Sequence, residues 1–205
     1  MIDYVDAVNR SLLELRRAVG DDPVAANGSR FCLIGFSRSP TVLLPLSRLT
    51  AASEISRLTT RAVTNFGAVF TFLHDTIGRD LALLEERSYR VCRPAVFFLS
   101  DGQPTDPVTW PVAFALLTDP SWSVRPNVVA FGVGDADPAI IGRIGTFRAF
   151  LGQNGVSPGT ALDGFIRALI SSVVRSVGPS SGDGECVLRV PDQVSGFTDL
   201  RMDHG

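Results

Sequence analysis

Three observations predict an α/β fold with a mainly parallel sheet, helices on both faces and one antiparallel edge strand. Short, unbroken apolar runs at 31–36, 94–99 and 128–133 read as strands buried on both faces. Amphipathic stretches alternate with them, their apolar residues recurring at spacings of three and four. The short turn Ser37-Arg38-Ser39-Pro40 joins the first run to a further strand, and so short a connection requires antiparallel pairing. Short strands alternating with amphipathic helices stack as a sheet between two helical layers.

Each element follows in order. Ile2, Val5, Val8, Leu12, Leu15 and Val19 make one apolar face of an opening helix, which Gly20-Asp21-Asp22-Pro23 stops. Phe31-Cys32-Leu33-Ile34-Gly35-Phe36 is the first strand. Its hairpin partner covers 41–46, and Pro45 places that partner at a sheet edge. A polar stretch follows, with a short helix near 51–57. The strongest periodic signal spans 66–87, where Phe66, Phe70, Leu73, Ile77, Leu81 and Leu84 form a face. Gly78 inside it costs roughly 1 kcal/mol relative to Ala, which so long a face absorbs. The run 94–99 is the next strand. A helix over 108–117 is confined or delayed by Pro111. The run 128–133 is the third buried strand. A short helix over 138–144, a short strand over 147–151 and a last helix over 161–177 complete the set.

Domain organisation is simple. The 205 residues suit one domain, here 1–177, able to bury a real core. Residues 178–186 are rich in Gly and Ser and read as a flexible linker. A tail over 187–205 carries a possible short strand at 187–190. Charge and composition then exclude several classes. With 45% apolar and 20% charged residues the balance is globular, and a net charge of −2 argues against nucleic acid or an anionic membrane as partner. The apolar runs fall far short of the roughly 20 residues that span a bilayer, and no basic-then-apolar signal segment opens the chain. Cys32, Cys92 and Cys186 are widely spaced and odd in number, which predicts reduced thiols, no disulfide framework and no structural zinc. A cytoplasmic protein is the expectation.

In open parallel sheets, ligands bind at the carboxyl ends of the strands. Three loops qualify. Ser100-Asp101-Gly102-Gln103-Pro104-Thr105-Asp106 follows the most apolar strand, and a carboxylate at Asp101 suits a hard cation such as Mg²⁺. Thr64, ahead of the long helix, offers a hydroxyl ligand or a helix N-cap. Asp101 reads equally as a turn residue. Gly132-Val133-Gly134-Asp135-Ala136-Asp137 is the third loop.

Together these pieces resemble the von Willebrand factor A (VWA) family. VFFLSDGQPTD (96–106) is similar to its third metal-site motif, TNFG (64–67) to its second, NVVAFGVGDAD (127–137) to the strand and turn that follow, and DAVNRSL (6–12) to its first helix. The tail VLRVPDQVSGF (187–197) and the DGQPTD wording look most like bacterial cytoplasmic members, including the tellurium-resistance-associated group. The resemblance implies a three-layer, Rossmann-like fold and a protein-binding module rather than an enzyme. It implies Mg²⁺ or Mn²⁺ held in part by Thr64 and Asp101, with Asn65, Gly102, Gln103 and Asp106 around the rim. Asp106 reads slightly better as a helix cap. The partner would be a protein supplying an acidic oxygen. A stress-response system with kinase or phosphatase partners is implied by association.

One departure matters. The family's first motif, D-x-S-x-S, ends a central strand just ahead of the first helix. Here the helix begins almost at Met1, so the motif and its strand are missing, and the expectation is that the natural reading frame extends upstream. Losing a central strand removes two ladders and several buried side chains, each worth about 1.5–3 kcal/mol, against a typical total stability of about 5–15 kcal/mol. Either 187–190 or a partner's strand would have to fill the place. Metal affinity should be low, which leaves a metal-independent scaffold as the alternative function.

Enzymatic readings fit less well. Gly132-Val133-Gly134 starts like a dinucleotide loop, but Asp137 occupies the third glycine position and Pro138 follows. A hydrolytic triad would need His74, in mid-helix, or His204, near the end of the chain. No nucleophile elbow stands between a predicted strand and a helix, and there is no P-loop.

Overall fold

The computed structural model describes residues 2–59, 64–101, 103–177 and 187–200. It is a mixed α/β structure. In chain order the elements are α1 (Ile2–Gly20), α2 (Pro23–Gly28), β1 (Phe31–Phe36), β2 (Pro40–Ser47), α3 (Phe66–Glu86), β3 (Ala95–Ser100), α4 (Trp110–Leu117), β4 (Asn127–Gly132), α5 (Pro138–Ile144), β5 (Arg148–Gly152), α6 (Pro158–Val177) and β6 (Phe197–Asp199).

The strands form two sheets rather than one. β1 and β2 make an antiparallel hairpin, as the short turn requires. The other sheet has the order β3-β4-β5-β6, with β3, β4 and β5 parallel and β6 antiparallel to β5. Alternation along β4 feeds two cores. Val128 and Ala130 point into a cluster with Phe66, Phe70, Trp110, Phe114 and Ile141, from α3, α4 and α5. Val129 and Phe131 point the other way, to Phe150 of β5 and Ala161 and Ala168 of α6. α1 packs beside α6, where Leu15 and Val19 meet Ile166 and Leu169. Helices therefore cover both faces.

Local chemistry explains where the structure departs from the pattern. The buried stripe of α1 is Ala7, Ser11, Leu15 and Val19, whereas Val5, Val8 and Leu12 are only half-buried. The short helix expected near 51–57 does not form. Ser53 Oγ instead accepts from the Thr50 amide at 2.9 Å, closing a turn. Asn9 then clamps Leu58 from both sides, accepting from its amide at 2.8 Å and donating to its carbonyl at 3.1 Å. Unexpected α2 arises because Asp22 caps it, accepting from the Val24 and Ala25 amides. Pro111 sits in the first turn of α4, where its missing N–H leaves no bond unmade.

The tail also differs. Residues 187–190 are not a strand, since the Arg189 amide is taken by Ser176 Oγ at 3.0 Å. The added strand is β6, whose buried Phe197 sets its ring edge-on to Phe131 at 5.2 Å. The segment expected as a linker, 178–186, lies outside the described residues, as does His204. Cysteine chemistry needs a correction at one position. Cys32 is free, but Cys92 is disulfide-bonded, so the expectation of reduced thiols throughout fails there. Distance along the chain is no guide to distance in space, and spacing misled for that reason. No helix among the described residues is long and apolar enough to cross a membrane.

Candidate functional site at the carboxyl edge of the sheet

Three loops meet where β1 and β3 end. The Asn65 amide donates to the Ser37 carbonyl at 2.8 Å, tying the start of α3 to the β1–β2 turn. Thr105, in the β3–α4 loop, donates twice to the Thr64 carbonyl, from its amide at 2.9 Å and its hydroxyl at 3.1 Å. The two segments read from the sequence as metal motifs are thus brought side by side, and the hairpin turn joins them.

The start of α3 shows what holds them. The first amides of a helix have no partner inside it. Asn65 Oδ1 accepts from the Ala68 amide at 2.8 Å, so Asn65 rather than Thr64 is the N-cap. Asp106 reaches across from the other loop. Its Oδ1 accepts from the Phe66 amide at 3.0 Å, and its Oδ2 from the Gly67 amide at 2.7 Å and from Thr109 Oγ1 at 3.1 Å. Asp106 is a cap, as the sequence favoured, but for a helix 40 residues earlier in the chain. Helix-end polarity reinforces this placement of a negative charge. A methyl group on Gly67 would stand 2.6 Å from Asp106 Oδ2, so close approach of the carboxylate demands glycine here.

Thr64 and Asp101 are half-buried at this edge, and Gln103 is exposed. Gly102 lies outside the described residues. Asp101 has bonding of its own within the fold. Thr64 and Asp101 offer a hard cation oxygen donors of the right kind. Their number is short, because such a cation takes about six or more oxygens and Asp106 is fully engaged elsewhere. Among the described residues no group of three or more His, Cys, Asp or Glu side chains could hold a metal ion. The described residues therefore do not make a complete metal site by themselves.

The glycine-rich loop after β4 serves packing. A methyl group on Gly132 would stand 2.7 Å from Ile141 and 2.9 Å from Ala136. Gly134 has φ +59°, and Asp137 caps α5 by accepting from the Ala139 amide at 2.8 Å. Both glycines and the aspartate are thus accounted for without a dinucleotide. His74 packs against Trp122, ring centroids 4.3 Å apart, and its Nδ1 lies 3.2 Å from Asp75.

Reasoning from sequence missed the clamp between Asp106 and Gly67, and the part played by the Ser37 carbonyl. A glycine in the first turn of a long helix, where alanine is the better helix former, was the available signal. No family model matches the chain, and no curated protein matches it.

Proposed function

We propose that the chain is a protein-binding module of the VWA type, not an enzyme, with the carboxyl edge of the sheet as its contact face. Support comes chiefly from the cross-linking of that edge. The Ser37 turn, Thr64-Asn65 and the loop from Asp101 to Asp106 are tied by backbone and cap bonds. A face already ordered loses little entropy when a partner docks.

In this reading Thr64 and Asp101 would hold an Mg²⁺ or Mn²⁺ ion only together with further ligands from outside the described residues or from the partner, and the ion would supply the positive charge that attracts an acidic group of the partner. Asn65, Gln103 and Asp106 would line the rim, with Gln103 exposed for contact, and Gly102 joins them on the resemblance alone. A bacterial stress-response system with a kinase or phosphatase partner belongs to the same reading. The net charge of −2 gives no support to a nucleic-acid partner. Cytoplasmic residence is the weaker part of it, because the disulfide at Cys92 favours an oxidising compartment. A metal-independent scaffold is the second reading, favoured by the engagement of both Asp106 oxygens in capping.

The test is retention of proteins from the source cell on immobilised wild-type, Thr64→Ala, Asp101→Ala and Gln103→Ala chains, with Mg²⁺ or with chelator. A partner held by the wild type in Mg²⁺, and lost about tenfold or more with chelator or Asp101→Ala, is expected from the roughly 1.5–3 kcal/mol carried by a charge-assisted contact. Retention that ignores both chelator and Asp101 supports the scaffold. Nucleotide or ester turnover by the purified chain, abolished in Asp101→Ala, would overturn the non-enzymatic reading.

A further inference from the structure

A cavity opens at the amino edge of the parallel sheet, opposite the candidate site. β3 and β4 start level there, Ala95 beside Asn127, and the Asn127 amide donates to the Pro94 carbonyl at 2.8 Å. The segments that lead into the two strands are thus locked together before either strand begins. Leu81 and Glu85 from the end of α3, Arg93 and Pro94 ahead of β3, and Ser123 and Arg125 ahead of β4 line a cavity of about 350 Å³. That volume is at the small end of small-molecule sites, which run from about 300 to 1,000 Å³.

The charge of the lining is unbalanced. Two arginines stand against one carboxylate, that of Glu85. Among the described residues neither Arg93 nor Arg125 has an ion-pair partner. Backbone carbonyls hold them instead. Arg93 Nε donates to the Arg125 carbonyl at 2.8 Å, and Arg125 Nη1 donates to the Pro120 carbonyl. A tether through Nε leaves both Nη groups of Arg93 as a fork of donors. Asp119 feels the Arg125 charge, but its Oδ1 already accepts from the Ser121 amide and hydroxyl, both at 2.7 Å. Arg93 ionises below its ordinary value, first through burial and then through the Arg125 charge. Two cations are therefore held close together, an arrangement that each disfavours in the other and that a bound anion relieves.

We propose that this cavity binds a small phosphorylated molecule bearing hydroxyl groups, of the sugar-phosphate class, with its phosphate held between Arg93 and Arg125. Guanidinium groups match phosphate oxygens in geometry as well as in charge, and a phosphate carrying about two negative charges balances two arginines. Ser123 adds a hydroxyl donor. Glu85, ionised, only accepts hydrogen bonds, so it repels a second phosphate and suits a hydroxyl of the same molecule. The disulfide at Cys92 anchors the residue next to Arg93, which lowers the cost of ordering this segment on binding. The inference concerns the amino edge and does not rest on the function proposed for the carboxyl edge.

Titration of the purified chain with inorganic phosphate, ribose 5-phosphate and ribose, read by calorimetry and by amide chemical shifts, is the test. Inorganic phosphate should saturate with a Kd on the order of 1 mM, ribose 5-phosphate should bind about tenfold more tightly, and ribose alone should not bind. The shifted amides should be those of 91–93 and 123–125. Arg93→Gln and Arg125→Gln should each weaken ribose 5-phosphate binding about tenfold or more, the scale of a charge-assisted contact. Arg167→Gln, at an exposed position of α6, should leave it unchanged. Glu85→Gln should narrow the gap between ribose 5-phosphate and inorganic phosphate. Absence of saturable binding, an equal loss in all three arginine variants, or shifts confined to the carboxyl edge overturns the proposal. Ribose 5-phosphate that binds no more tightly than inorganic phosphate overturns the ligand class. Should an arginine variant fail to fold, the wild-type shifts decide, since they need no substitution.

Discussion

β4 and β3 lie side by side and differ in burial. In β4, Val128, Val129, Ala130 and Phe131 are at most 1% exposed. In β3 only Phe98 and Ser100 are buried, although Ala95-Val96-Phe97-Phe98-Leu99-Ser100 is the more apolar sequence. The difference is one of neighbours. Among the described residues β4 has a strand on each side, and β3 has one on a single side.

Paired substitutions turn that contrast into a measurement. Phe131→Ala, in the doubly flanked strand, should cost about 3–5 kcal/mol, the range for emptying a filled aromatic site. Phe97→Ala, in the singly flanked strand, should cost roughly 1–2 kcal/mol, because part of its ring is already in contact with water. Urea unfolding of both variants gives the two numbers. Equal losses would mean that β3 is as well enclosed as β4, and the contrast would collapse.

Most elements were legible in the sequence, because strands flanked by helices write themselves as apolar runs and helices as three-four spacings. The long helix beginning at Phe66 and the run ending at Ser100 show this directly. Where reading failed, a side chain had intervened. Ser53 and Asn9 drew the backbone after β2 away from a helix, and Ser176 drew Arg189 away from a strand. The Asn9 and Ser176 bonds join residues 49 and 13 apart in the chain, the Ser53 bond closes a local turn, and none of the three leaves a periodicity. The site was legible in part. Thr64, Asn65, Asp101 and Asp106 come to one edge, but the partner of Asp106 is the start of α3, which no local pattern reveals.

That clamp is the next place to press, since it fastens the loop after β3 to the helix that packs on both β1 and β3. Asp106→Ala leaves the Phe66 and Gly67 amides without their acceptor and should cost about 2 kcal/mol, the upper range for a helix cap. Gly67→Ala should also destabilise the wild type, because its methyl group would crowd the carboxylate. Removing the carboxylate removes that conflict. The double variant should therefore lose less than the sum of the single losses, by about 0.5–1 kcal/mol or more, as residues in contact do. Strict additivity in chemical unfolding would show that the two do not touch.

The smallest effect belongs to Cys32, on the singly paired strand β1. Burial pushes its thiol from 9.0 up to about 11, with Asp80 adding to the rise and Arg79 opposing it. Thiolate is the reactive form, so alkylation at pH 8 should be on the order of 100-fold slower than for an exposed cysteine, given a tenfold loss of thiolate for each unit of rise. The same shift ties stability to pH. A thiol whose ionisation is raised by folding stabilises the folded state fully below the unfolded value of 9.0, and that contribution is lost as pH climbs toward about 11. The unfolding midpoint should hence decline over that interval, and the decline should vanish in Cys32→Ser. If β1 instead frays from its unflanked side, Cys32 will react at the rate of an exposed thiol and the pH dependence will be absent. That outcome would extend the contrast between singly and doubly flanked strands from burial to motion.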